Sequence, residues 1–293
     1  KVIAMVKADA YGHGVAAIAP LLQGQGQADA LGVAFLDEAL ALRAMGIDAP
    51  IAVLEGVFSA AELAAARSAD LQLAVHSPEQ VLLLQSAPAG PSISIWIKLN
   101  TGMNRLGFRP AEALAGWRQL KGLPAVSRIN LMTHFSRADE LSSSQTELQW
   151  GRFIAVRDAL ALQQGAPLTT SVANSAAILA WQQTQSDWMR PGIALYGSSP
   201  FADQSAESFG LQPVMTLHSR VIAVHELQAG DEVGYGATWV ADAPTRIAVV
   251  AIGYGDGYPR HARNGTPVLV NGQRCALAGR VSMDMITVDL GSV

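Results

Sequence analysis

The chain has 293 residues, half of them apolar and 15% charged, with a formal net charge of −4. That length holds one large domain or two smaller ones around a substantial core. The acidic balance, without any Lys/Arg cluster, argues against nucleic acid as a partner, and no apolar stretch reaches the ~20 residues of a membrane span.

The first apolar run, residues 2–6, reads as a strand buried on both faces. It ends at Lys7, which opens the string Lys7-Ala8-Asp9-Ala10-Tyr11-Gly12-His13-Gly14. A lysine at such an exit has its amine half out of water, so its pKa is expected to fall. A neutral amine attacks carbonyls and forms Schiff bases. Further apolar runs follow at 31–35, 51–54, 71–75, 93–97, 129–134, 170–173 and 192–196. Helical patterns lie between them at 36–45, 60–68, 78–84, 111–120, 145–163 and 176–182, with Ser59 and Ser77 as N-caps. Eight strands alternating with helices predict an α/β fold of the (β/α)8 TIM-barrel type, with a doubly wound open sheet as the alternative.

From about Pro213 the pattern changes. Strand-like segments at 214–224, 232–240, 246–252, 267–270 and 280–290 are separated by turn pairs such as Ala229-Gly230 and Asn271-Gly272. The expected organisation is a barrel over 1–205 and a mostly β domain over 206–293, divided in the polar stretch 198–210. The chain begins at Lys1 inside an apparent strand and ends at Val293 in or just after another. Continuation beyond both ends is expected, and a leader peptide stays open. A single cysteine, Cys275, excludes an intrachain disulfide and suits a reducing, cytoplasmic setting. No cluster has metal-ligand spacing, so no metal is expected.

In a barrel the active site lies at the C-terminal ends of the strands. The unusual polar residues fall there: Lys7 after strand 1, Lys98 and the segment Asn100–Arg105 after strand 5, His134 after strand 6, Asn174-Ser175 after strand 7, and Arg190-Pro191-Gly192 near strand 8. Ser175, starting a helix, and the Gly192-Ile193 amides suit a phosphate cradle. A Schiff-base lysine facing a phosphate cradle points to pyridoxal 5′-phosphate as cofactor.

The ordered motifs KADAYGHG (7–14), KLNTGMNRLGF (98–108), THFSRADE (133–140), ANS (173–175), RPGIALYG (190–197), GYGAT (234–238), GYGDGYPR (253–260) and GRVSMDM (279–285) resemble those of the alanine racemases, the barrel-plus-β-domain family that uses pyridoxal phosphate. The resemblance implies a homodimer with shared active sites that interconverts L- and D-alanine, a cell-wall precursor chemistry. It implies that Lys7 carries the cofactor as a Schiff base and works one face of the substrate Cα, while Tyr235 of the partner subunit works the other. It further implies that Tyr11, Ser175, Gly192 and Ile193 hold the phosphate. Arg190 would face the pyridine nitrogen with His134 behind it. Arg105 would contact the phenolic oxygen and the substrate carboxylate, and Leu54 would pack near the ring. Met283 would offer its N–H to that carboxylate beside Asp284, and Tyr254, Arg260, Arg280 and Asp139 would line the access channel. Lys98 would carry a carbamate that orients Arg105, although Asn100 stands where the family often has aspartate.

Two opposed bases suit racemisation, because a single fixed base returns the proton to its own side. Free tyrosine titrates near ~10, so Tyr235 needs positive charge or hydrogen bonds nearby. Rival readings are a broad-specificity amino-acid racemase, which more often carries a cysteine pair, and a non-catalytic carrier of the cofactor, which lacks a β domain. A decarboxylase of this architecture would place glutamate where Arg190 stands.

Overall fold

Inward and outward side chains alternate along the short strands of the first unit, and that alternation builds the barrel. The structure, a computed structural model, describes residues 1–24 and 26–291. Strands β1 (Ile3–Met5), β2 (Ala30–Val33), β3 (Ile51–Val53), β4 (Gln72–Val75), β5 (Ile93–Lys98), β6 (Val126–Met132) and β7 (Thr170–Ser171) lie side by side in chain order, each pair parallel. Helices α1 (Val15–Gly24), α2 (Leu36–Ala44), α3 (Ala60–Ser68), α4 (Pro78–Gln85), α5 (Pro110–Leu120), α6 (Gln145–Gln164) and α7 (Ser175–Ala180) each follow the strand of the same number.

Residues 188–191 close the ring. Trp188 bridges Ser171 on β7, and Met189 bridges Val2 beside β1. The N–H groups of Ile3 and Met5 donate to the carbonyls of Met189 and Pro191 at 2.8 and 3.1 Å. The expected eighth strand at 192–196 is therefore corrected. Ile193–Tyr196 forms a 3₁₀ turn, and the closing segment lies just before it. Arg190 interrupts the apolar pattern of the true segment, while Ile-Ala-Leu-Tyr imitates a buried strand.

Ile3, Met5, Ala30, Ala52, Ala74, Trp96 and Met132 form one buried cluster from one face of the strands. Small residues on three strands leave room for Trp96 and the two methionines. Gly32 belongs to the same logic, because a Cβ there would sit 2.6 Å from Met5 Sδ. The Trp96 indole N–H donates to Gln72 Oε1 at 2.7 Å, so the ring is buried without an orphan donor. The opposite face, with Ala4, Val6, Leu31, Val33, Ile51, Leu73 and Ile95, packs on helix residues such as Leu42, Leu63, Leu84, Trp117 and Phe153. Ser59 and Ser77 cap their helices as expected, accepting from Glu62 N and Gln80 N.

The chain divides into two compact units, Lys1–Met215 and the part from Thr216 onward. In the second, β8 (Val221–Leu227), β11 (Thr245–Val250), β12 (Pro267–Val270), β13 (Gln273–Leu277) and β14 (Ile286–Gly291) form an antiparallel sheet in the order β12-β13-β14-β11-β8. The expected strand at 232–240 is two short antiparallel strands, β9 (Glu232–Val233) and β10 (Trp239–Val240). Gly234 and Gly236, both with positive φ, break it and put Tyr235 on the turn between. The strand expected from 280 begins only at Ile286. Among the described residues no helix is long and apolar enough to cross a membrane.

Candidate active site

Lys7 leaves β1 and enters a turn of the opposite hand to every other helix in the chain. Ala8, Asp9, Ala10 and Tyr11 have φ of 52°, 53°, 54° and 56°. Left-handed backbone costs non-glycine residues ~1–2 kcal/mol each, so other groups must hold it. Ala8 N donates to Glu38 Oε1 at 2.6 Å, and Val15 N donates to Asp9 Oδ1 at 2.7 Å. His13, for which the sequence suggested no role, stacks on Tyr196 at 4.4 Å, and its Nδ1 lies 3.1 and 3.0 Å from the carbonyls of Ala10 and Tyr11. Tyr11 also stacks on Tyr196, whose hydroxyl donates to Met5 O at 2.7 Å.

The turn forms one wall of a cleft of about 260 Å³. Every cofactor-binding candidate lines it: Lys7, Tyr11, Leu54, Arg105, His134, Ser175, Arg190, Gly192 and Ile193. Lys98 and Asp139 line it too. Glu55, which sequence reasoning passed over, also stands there. It follows Leu54 at the exit of β3, so the strand-end rule that singled out Lys7, Lys98 and His134 applies equally to it.

Arg190 dominates the electrostatics. It is only 4% exposed, and its guanidinium donates to Ser171 Oγ, Thr133 O and, at 3.3 Å, Val172 O. Among the described residues no carboxylate pairs with it. Burial lowers its pKa to about 10, which leaves it charged at neutral pH. His134 Nδ1 lies 3.4 Å from Arg190 Nη2. A guanidinium only donates, so that contact requires an unprotonated Nδ1. Burial first, then Arg190, Arg105, Lys98 and Lys7, hold His134 well below the usual imidazole range, so the ring is neutral. Lys98 is 7% exposed. Burial chiefly lowers it to about 8, with Arg190, Arg105 and Lys7 adding to the drop and Glu55 opposing it. Positive charge thus outweighs negative charge in the cleft, which favours an anionic ligand.

The residues expected to hold a phosphate meet at the start of α7. Asn174, rather than Ser175, caps α7, its side chain accepting from Ala177 N. Ser175 Oγ is instead met by the N–H groups of Gly192 and Ala194, at 2.8 and 3.2 Å. A Cβ on Gly192 would lie 2.5 Å from the Tyr11 hydroxyl. A hydroxyl pair, loop amides and the start of α7 therefore share one corner. On the other side, Asn100 Oδ1 accepts from Gly102 N and Asn104 N, and its amide donates to Asn104 Oδ1. Asparagine here shapes the turn that precedes Arg105.

The remaining predicted residues belong to the second unit. Tyr235, Tyr254, Arg260, Arg280 and Met283 line one depression with His261. Asp284 is exposed in the adjoining turn. Arg260 lies over the Tyr254 ring at 5.6 Å. Gly255 N donates to Met283 O at 2.8 Å, and Tyr254 N donates to Ser282 O at 3.1 Å. Glycine is required at 253, where a Cβ would fall 2.2 Å from Met283 O. Asp139, grouped with these residues on sequence, lines the barrel cleft instead.

A barrel rim carrying a lysine, an unpaired buried arginine and two hydroxyls at one corner, in a chain that continues into a β unit, is the arrangement of a barrel-plus-β enzyme class. The family described as "Alanine racemase, N-terminal domain" matches residues 1–200, and "Alanine racemase, C-terminal domain" matches 214–293. The chain is similar to an alanine racemase of Pseudomonas syringae, 51% identical across 100% of this chain and 80% of that protein. It is similar to a catabolic alanine racemase of Pseudomonas putida at 50% identity, with the same two coverages. A crystal structure of the biosynthetic alanine racemase from Pseudomonas aeruginosa superposes with a TM-score of 0.93 at 45% identity, covering 99% of this chain and 79% of that one. The chain belongs to the alanine racemase family, a family of isomerases.

Proposed function

We propose that this protein interconverts L- and D-alanine with pyridoxal 5′-phosphate held in the barrel cleft, and that a homodimer brings Tyr235 of one copy to the cleft of the other. The observation that carries the reading is the convergence of nine candidate residues on one cationic cleft. The cleft fits the group. The hydroxyls of Tyr11 and Ser175, the latter fixed by the Gly192 and Ala194 N–H groups, suit a phosphate together with the Ile193 amide, Lys7 supplies an amine for an aldehyde, and Arg190 supplies a donor for a ring nitrogen. When bound, the cofactor withdraws electron density from a substrate's Cα–H bond and makes that proton removable.

The chain's own residues then divide the work. Lys7 takes or gives the proton on one face, and Tyr235 does the reverse on the other. Arg190 would donate a hydrogen bond to a ring nitrogen while keeping its own proton. Neutral His134 accepts from Arg190 and steadies it without adding charge. Arg105, exposed at the cleft, binds a carboxylate together with the Met283 N–H. Asp284 stands beside Met283, and Tyr254, Arg260, Arg280 and Asp139 border the route in.

Lys98, lowered to about 8, is roughly one-tenth neutral at pH 7. Its free amine adds to carbon dioxide and releases a proton, giving a carbamate whose negative charge offsets Arg105 and Arg190. The single cysteine supports a cytoplasmic setting. Circular dichroism of L-alanine with the full-length protein tests the activity, with decay of the signal to zero expected. A bound cofactor with undiminished optical activity would favour the carrier reading instead. Failure of alanine alongside turnover of longer amino acids would favour the broad-specificity one.

A further inference from the structure

Single side chains tie the loops at the mouth of the barrel together in pairs. Glu38 on α2 accepts from Ala8 N after β1, and from Ala34 N and Phe35 N after β2, at 2.6, 2.8 and 3.1 Å. Gln80 on α4 donates to the carbonyls of Glu55 and Val57 after β3, and accepts from His76 N after β4. Gln149 on α6 donates to Thr101 Oγ after β5 and to His134 O after β6, and accepts from Ser136 N. Ser175 after β7 joins Gly192 and Ala194 beyond the closing segment.

We infer that the rim is built as four tied loop pairs, and that Glu38 is the positioning residue that holds Lys7 through its left-handed turn. Two observations separate this from ordinary helix capping. Glu62 and Glu112 also stand at the third position of their helices, yet each accepts only from the chain just before its own helix. Glu38 alone of the three reaches another strand's loop. Its target is the N–H of Ala8, the first of four consecutive residues with unfavourable positive φ. Chemistry requires a carboxylate here, because Oε1 serves the first loop and Oε2 the second. A glutamine keeps one acceptor and turns an NH₂ group toward the other set of N–H groups.

The consequence for Lys7 rests on the proposed role of that lysine as cofactor amine, but the tie itself does not. The experiment compares Glu38→Gln, Glu112→Gln and Gln149→Ala with the full-length parent. Amide exchange is followed in cofactor-free protein, and cofactor loss is followed by the visible absorbance of the loaded enzyme. Glu38→Gln is expected to speed exchange in residues 8–12 by about tenfold or more, the worth of a charge-assisted hydrogen bond. It should hasten cofactor loss and lower kcat more than it changes KM. Glu112→Gln should leave residues 8–12 as in the parent, and Gln149→Ala should loosen 100–105 and 134–136 without touching 8–12. Unchanged exchange at 8–12 in Glu38→Gln, or equal loosening by Glu112→Gln, would overturn the inference. A parent lacking any visible band that Lys7→Ala removes would refute the cofactor reading, while the exchange measurement would still judge the tie.

Discussion

The barrel cleft and the depression around Tyr235 hold their residues by opposite means. In the cleft two polar side chains are buried and fastened: Arg190 is bonded to Ser171 and two carbonyls, and Ser175 to two amides. Around Tyr235 the backbone does the fixing, through positive-φ glycines at 234 and 236 and the packed 253–255 and 282–283 segments, and Tyr235 itself is 73% exposed. Fastened charges create a field that acts on whatever enters. The first region is prepared in advance, and the second waits for its surroundings.

Lys7→Ala should give the largest break, a loss of ~10⁴-fold or more in racemisation together with the cofactor's visible band, read by circular dichroism and absorbance. Retention of the band would move the attachment elsewhere. Tyr235→Phe should cost ~10²–10⁴-fold and fall unequally on the two directions, measured as solvent-deuterium uptake at Cα from each enantiomer. Equal slowing, after allowing for the limiting step, would count against opposed bases. Gly192→Ala should weaken cofactor binding by roughly ten- to a hundredfold, because the new methyl group displaces the Tyr11 hydroxyl. Unaltered affinity in equilibrium titrations would remove Tyr11 from the cradle.

The smallest effect concerns stability and has a definite sign. Lys98 falls from 10.5 to about 8, so between those values the unfolded chain binds a proton that the folded one lacks. Stability from this group therefore rises with pH across 8–10.5, and below 8 the buried charge costs on the order of 3 kcal/mol. Lys98→Met should raise the melting temperature at pH 7 and flatten the rise above pH 8 while lowering activity. Added bicarbonate should stabilise the parent alone, with a mass gain of one carbon dioxide on Lys98.

Much of this was legible because strand exits carry polar residues that a core would not tolerate. Lys7, Lys98 and His134 stood out at the ends of apolar runs, and motif resemblance supplied Tyr11 and Leu54. The closing segment was misplaced because Arg190, its functional residue, interrupts its apolar character. Tyr235 was read within a strand, since alternation over 232–240 does not register two glycines acting as a hinge. The paired ties were invisible, because Glu38 and Ala8 are thirty residues apart and no local pattern joins them.

The left-handed turn also bears on entropy. Glycine would adopt the backbone of Ala8 and Ala10 without steric penalty, yet alanine stands at both. Alanine has fewer conformations to choose from than glycine, and bonds from the N–H groups of Ala8 to Glu38 and of Val15 to Asp9 tie the turn at its two ends. The result is a backbone held against its preference, with fewer alternatives than a glycine loop would have. The amine of Lys7 therefore moves about a nearly fixed pivot, and its reach is set by its own side chain rather than by the loop that carries it.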